Sequence, residues 1–188
     1  MSDTKFSLAH RLLHWAIAFS LLFMLLTIFL RLGWMNKHNM ADIISDKLQD
    51  IDVKIDEEQA ITIAKGVRSP MWAWHVYIGY VLVGLYILRM AFFITKGASF
   101  KQNLLKGVLK EKVQAWSYVL FYVLLGSALI SGLIIEFGSE KYKHTTEEYH
   151  ELSLYWLVLF IVVHFIGLYI AEIKNRKGIV NKMITGKD

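Results

Sequence analysis

Four stretches of this chain contain no Asp, Glu, Lys or Arg: residues 12–30, 69–88, 113–135 and 152–171, each 19 to 23 residues long. An α-helix rises 1.5 Å per residue, so about 20 apolar residues cross the roughly 30 Å hydrocarbon layer of a bilayer. All 37 formal charges of the 188 residues are crowded into the other positions. Four such runs predict four transmembrane helices in one domain. Composition agrees, at 55% apolar and 20% charged residues, against about 45–50% and 25% in soluble domains. A soluble enzyme and a disordered chain are excluded. So is a nucleic-acid-binding domain, despite a pI near 9.3. With no cysteine there are no disulfides, thiolate metal sites, iron–sulfur ligands or covalent haem attachment in this chain. The first apolar run lacks a small-residue cleavage site behind it, so it reads as a retained span.

An even number of spans puts both termini on one side. That terminal side carries 13 Lys and Arg, against 8 on the side of loops 1 and 3. In the short loops, which weigh most, the ratio is six to two. The positive-inside rule then places both termini in the cytoplasm. Ser69 and Pro70 suggest an N-cap and first helical residue for span 2. Thr145 and Glu148 have capping-box spacing before span 4. Gly33, Gly97, Gly138 and Gly178 stand where helices should stop. Loop 1, about 37 residues, is too long for a structureless connection. Ile43, Ile44, Leu48, Ile51, Ile55, Ile61 and Ile63 give it partial helical periodicity, so one or two short helices are expected over the loop end of the bundle, as an insertion or a docking surface.

Of seven histidines, His14, His75, His150 and His164 lie within or at the mouth of a span, while His38 and His144 fall in loops. An ionisable residue in lipid is expensive and faces inward. Taken singly, each imidazole has a plain reading as a neutral ring bonded to a neighbour's backbone; their joint placement says more. His150 and His164 are 14 residues apart, almost four turns, so they share one face about 21 Å apart along the axis. His14 enters on the terminal side, level with His164. His75 enters on the loop side, level with His150. Two pairs follow, His14 with His164 and His75 with His150, each offering two opposed imidazoles from different helices. That is bis-histidyl haem ligation, in a bundle of the kind that holds cofactors between facing helices. Gly79 stands one turn from His75 and Gly167 near His164, with Gly126 and Gly132 on span 3. All four give a wide plate room, or simply let helices approach. Arg89 follows His75 by 14 residues and Arg11 precedes His14 by one turn. Both suit haem propionates, or anchor the terminal side. His10 is four residues from His14 and reads as a boundary residue beside the ligand.

The run Arg11-Leu12-Leu13-His14-Trp15 resembles the opening signature of the prokaryotic cytochrome b561 family, which is related to hydrogenase-type b cytochrome subunits. His75-Val76-Tyr77-Ile78-Gly79, ending in Leu88-Arg89, resembles its second helix. His150-Glu151, with His164 beyond, resembles its fourth. Two departures lie on the loop side: Tyr149 stands where many members have Trp, and loop 1 is longer than in minimal members. The resemblance implies an all-α fold, a transmembrane four-helix bundle holding two haems. The chain would be one membrane cytochrome domain over 1–188, with spans near 8–32, 70–95, 112–136 and 147–174 and a periplasmic helical insertion over 34–69.

It further implies two non-covalent haem b groups with the pairing above, in the bacterial inner membrane, and quinone or quinol as the lipid-soluble partner. Two protein ligands per iron leave no open position, which points to electron transfer between membrane faces. The first expectation is a carrier between the quinone pool and a periplasmic redox protein or subunit. The alternative is a stand-alone superoxide:quinone oxidoreductase. A cationic funnel would favour it, whereas loops 1 and 3 together carry 12 Asp and Glu against 8 Lys and Arg. A remote third is a haem-free structural subunit. No nucleic acid is expected, catalytic residues are unassigned, and a homo-oligomer is compatible with the pattern. The six Trp residues would line a quinone site or form an interfacial belt.

Overall fold

A computed structural model describes residues 6–96, 109–174 and 178–186. Within them the chain forms α1 (Leu8–Leu32), α2 (Lys37–Gln49), α3 (Glu57–Lys96), α4 (Leu109–Phe137), α5 (Glu140–Glu151), α6 (Ser153–Lys174) and α7 (Ile179–Thr185), with no strand. Four helical stretches are long and apolar enough to cross a membrane: Leu8–Leu32, Glu57–Ile94, Lys112–Phe137 and Glu140–Lys174. Their surfaces match that role. Along α6, Leu159, Val162, Val163, Phe165, Ile166 and Tyr169 all stand exposed. A helix apolar on every side belongs in lipid.

The helix starts differ from the sequence expectation at two places. Span 2 was expected to begin at Ser69-Pro70, but α3 begins at Glu57 and carries Pro70 inside it. Its start is a reciprocal box. The Gln59 N–H donates to Asp56 Oδ1 (2.8 Å) and the Asp56 N–H to Gln59 Oε1 (3.1 Å). Proline removes the N–H that would bond the Gly66 carbonyl four residues back. The Ser69 hydroxyl donates to that same carbonyl at 2.8 Å, so the helix passes through without an orphaned acceptor. Span 4 likewise starts earlier than expected. Thr145 and Glu148 lie inside α5, which starts after Ser139, and α6 follows after a break at Leu152. Gly33 and Gly138 do end α1 and α4, each N–H still bonding four residues back. Gly178 (φ 83°) precedes α7 as its N-cap, and the end of the helix before it lies outside the described residues. Gly97 lies outside the described residues.

The chain divides into two compact units, Ala18–Leu82 and, together, Met1–Ile17 with Val83–Asp188. In the first, α2 and the opening turns of α3 fill most of the expected insertion. Their shared core is alanine rather than isoleucine: Ala41, Ala60 and Ala64 are buried, with Met40, Ile44, Ile55 and Ile61 around them. Ile43, Ile51 and Ile63 remain exposed. Small residues let the two helices close tightly, and Ala64 is fully buried. Ala64→Leu is therefore expected to cost about 1–3 kcal/mol by overpacking. The readout is faster proteolysis or hydrogen exchange across residues 37–69, with α6 unaffected.

Candidate haem-binding site

The second unit contains one of the two expected histidine pairs. His14 on α1 and His164 on α6 face each other with ring centroids 6.3 Å apart and planes inclined at 43°. The helix faces that carry them are lined by aromatics. Trp15 meets His14 edge-on at 5.6 Å, Phe160 stacks on His164 at 5.9 Å, and Phe121 stacks on Phe160 at 4.1 Å. A metal held between two imidazole nitrogens at about 2 Å from each puts the ring centres roughly 6 Å apart, which is the spacing found. Among the described residues no three His, Cys, Asp or Glu gather as a metal cluster. Two neutral donors alone suit a metal that brings its own in-plane ligands, as haem does, better than a bare ion.

Arg11 and Arg89 bracket this pair on the sequence, and each has protein partners. Arg11 Nη1 donates to the Ile184 carbonyl (2.9 Å) and the Trp15 indole to that of Met183 (3.2 Å), so α7 docks against the start of α1. Glu172 fixes the other end of α7 by accepting the Gly178 (2.6 Å) and Ile179 (3.1 Å) N–H groups. Arg11 Nε is buried with no acceptor among the described residues. A buried donor left over is what an anionic ligand arm such as a propionate satisfies. Arg89 Nε donates to Tyr122 Oη (2.9 Å) and Nη1 to His10 Nδ1 (3.2 Å). His10 is thus an acceptor beside Arg89, a partner the sequence did not indicate. An open apolar groove of about 370 Å³ runs beside this pair, lined by Ala9, Leu12, Leu13, Ala16, Leu85, Leu88 and Phe92.

His150 ends α5 in the same unit. Its Nδ1 lies 2.9 Å from Ser131 Oγ, which also donates to the Ala128 carbonyl at 2.9 Å. Gly132 makes room for the ring: a Cβ there would stand 3.2 Å from His150 Cε1. Gly126 fits the helix-approach alternative, because Tyr86 Oη from α3 occupies the space its Cβ would take, at 2.6 Å. At Gly79 and Gly167 nothing approaches within 4 Å of a Cβ position.

In the unit Ala18–Leu82, His75 is nearly buried and repeats the same arrangement. Its Nδ1 lies 2.8 Å from Thr27 Oγ1, which donates to the Met24 carbonyl at 2.7 Å. Trp72 stacks on His75 (4.5 Å, 5°), and the Arg31 guanidinium lies 4.1 Å from the Trp72 ring centre. A cavity of about 180 Å³ opens there, lined by Arg31, Lys65, Arg68, Ser69, Met71 and Trp72. His38 and His144 are exposed, as expected.

A sequence profile described as prokaryotic cytochrome b561 matches residues 5–186, nearly the whole chain. The chain belongs to the prokaryotic cytochrome b561 family. No curated protein and no solved structure matches it. Membership makes this cytochrome an all-helical, multi-pass membrane protein that binds b-type haem and works in electron transfer. The sequence reading singled out the four membrane histidines and counted Trp72 only among six tryptophans for a quinone site or interfacial belt; Thr27, Ser131 and Tyr122 it did not name. A signal existed for the two hydroxyls, which sit in charge-free runs near the loop-side depth of His75 and His150. The rings had none beyond a general abundance of aromatics.

Proposed function

We propose that this cytochrome carries electrons between the quinone pool and a periplasmic redox partner through two haem b groups. It would sit in the inner membrane with both termini cytoplasmic. His14 and His164 would hold the iron of the terminal-side haem. By their depth in the sequence, His75 and His150 would hold that of the loop-side haem. The spacing of the His14 and His164 rings is the observation that carries this reading. Each haem supplies a one-electron iron couple. The protein supplies two ligands per iron, which closes the metal to oxygen and substrates, and an apolar aromatic wall that excludes water.

Quinone needs an apolar bed and polar groups for its two oxygens. The groove of Leu12, Leu13, Leu85 and Leu88 offers the apolar bed, and His10, whose ring meets Phe92 of its wall edge-on at 6.5 Å, brings a polar group to its rim, which favours the terminal side for quinone exchange. The test is a reduced-minus-oxidised spectrum of the purified full chain, with haem quantified per protein, followed by quinol-driven reduction. Two haems per chain are expected. One haem means that one pairing is wrong, and none overturns the redox reading. Leu13→Trp, which fills the groove, is expected to raise the KM for quinol several-fold with the haem spectrum unchanged.

The alternative reading, superoxide:quinone oxidoreductase, gains support from the pocket of Arg31, Lys65 and Arg68. None of these three cations pairs with a carboxylate among the described residues. Such a pocket draws in small anions. Two superoxide ions in turn would each leave as dioxygen, their two electrons reducing quinone, which takes up two protons to become quinol. Gln at all three positions then slows superoxide consumption and abolishes its salt dependence. A carrier serving a protein partner instead loses partner reduction when residues 40–66 are replaced by a short linker.

A further inference from the structure

We propose that Thr27 and Ser131 are positioning residues that fix the tautomers of His75 and His150, so that each imidazole presents Nε2 to iron. The proposal rests on the reading of those two histidines as axial ligands. It follows from counting hydrogens. Each hydroxyl has one hydrogen and two close neighbours: a carbonyl oxygen three residues back and a ring nitrogen. For Thr27 these are Met24 O at 2.7 Å and His75 Nδ1 at 2.8 Å. For Ser131 they are Ala128 O at 2.9 Å and His150 Nδ1 at 2.9 Å.

A carbonyl oxygen can only accept. If the hydroxyl gave its hydrogen to the imidazole, its oxygen would face the carbonyl oxygen lone pair to lone pair at hydrogen-bonding distance, inside a buried site. Only one assignment makes both contacts hydrogen bonds. The ring Nδ1–H donates to the hydroxyl, and the hydroxyl donates to the carbonyl. In a neutral imidazole Nδ1 then holds the hydrogen and Nε2 holds the lone pair. Both hydroxyls are almost wholly buried, at 2% and 4% exposure, so water does not compete for these bonds.

The same device therefore occurs twice, on two different helices, each time for a histidine assigned to the loop-side haem. Among the described residues, no such partner bonds a ring nitrogen of His14 or His164. An Nδ1–H bonded to an acceptor makes the opposite nitrogen a stronger donor to metal.

The test uses the full chain in lipid nanodiscs, with haem content and a spectroelectrochemical titration as readouts. Thr27→Val and Ser131→Ala remove the hydroxyls, whereas Thr27→Ser and Ser131→Thr keep them. The first two are expected to weaken haem retention at one centre by roughly 10–100-fold and to move its midpoint potential upward. The conservative pair restores both properties. The His14–His164 centre keeps its potential throughout, which also reports that each variant is folded. Wild-type haem retention and potential in Thr27→Val and Ser131→Ala overturn the proposal. His75→Ala and His150→Ala separate this from failure of the ligand reading. Each loses one haem if the histidines are ligands, and retention of both haems overturns the ligand reading and this proposal together.

Discussion

Replacing His164 with alanine removes one haem and leaves the other in place. The facing rings, 6.3 Å apart, are the two donors this position offers. With one gone, the iron keeps a single ligand and gains a cavity the size of an imidazole. His14→Ala is expected to do the same, and the double variant no worse than either, because both residues act through one bond system. Free imidazole added to either single variant restores haem, since an emptied pocket accepts the group that was cut away. Haem quantification and the α-band of the reduced spectrum check each step. Quinol-driven reduction of the surviving haem falls to background if the groove beside Arg89 is the entry point. Two haems in His164→Ala would remove the basis for the pairing.

Gly132→Val has the second largest expected effect, and it falls on the other centre. A Cβ at this position stands 3.2 Å from His150 Cε1, and valine adds two methyl groups to the same space. The ring cannot turn away freely, because its Nδ1 is bonded to Ser131, the residue just before Gly132 on α4. Overpacking of this kind costs about 1–3 kcal/mol. Relief comes most directly from moving His150, at the expense of that bond and of the iron it is proposed to hold. The loop-side haem is therefore lost while the His14–His164 centre keeps its spectrum. Gly132→Ala needs only a few tenths of an ångström of adjustment and should lower haem occupancy without abolishing it. Electron paramagnetic resonance of the ferric protein, which separates the two low-spin signals, is the measurement. Full occupancy in Gly132→Val contradicts the expectation.

The four spans were readable because excluding charge from 19 to 23 consecutive residues leaves few folds open. His14 and His164 were readable for a related reason: helix rise and chain direction set the depth of a residue before any contact is known. The helix starts were not. Pro70 reads as a boundary under the usual rule, whereas in the structure it is an interior residue, with the Ser69 hydroxyl on the Gly66 carbonyl it frees. The alanine contact of α2 and α3 was hidden as well. Isoleucine dominates any periodicity count, while the tightest packing depends on residues with almost no side chain. Arg11 shows a third kind of loss. Its place one turn before His14 was legible, but its bond to Ile184, 173 residues away, depends on a terminal helix that no local pattern ties to α1.

The 40 residues of α3 amount to about 60 Å, roughly twice the thickness of a bilayer's oily interior. Because the helix passes Pro70 unbroken, the thirteen residues before it, about 20 Å of helix, belong to the same rod as the apolar span and are braced by α2 through Ala41, Ala60 and Ala64. A displacement at its polar end is therefore passed along the rod to His75 rather than absorbed at a joint, and the serine hydroxyl that occupies the Gly66 carbonyl is what the proline costs the helix.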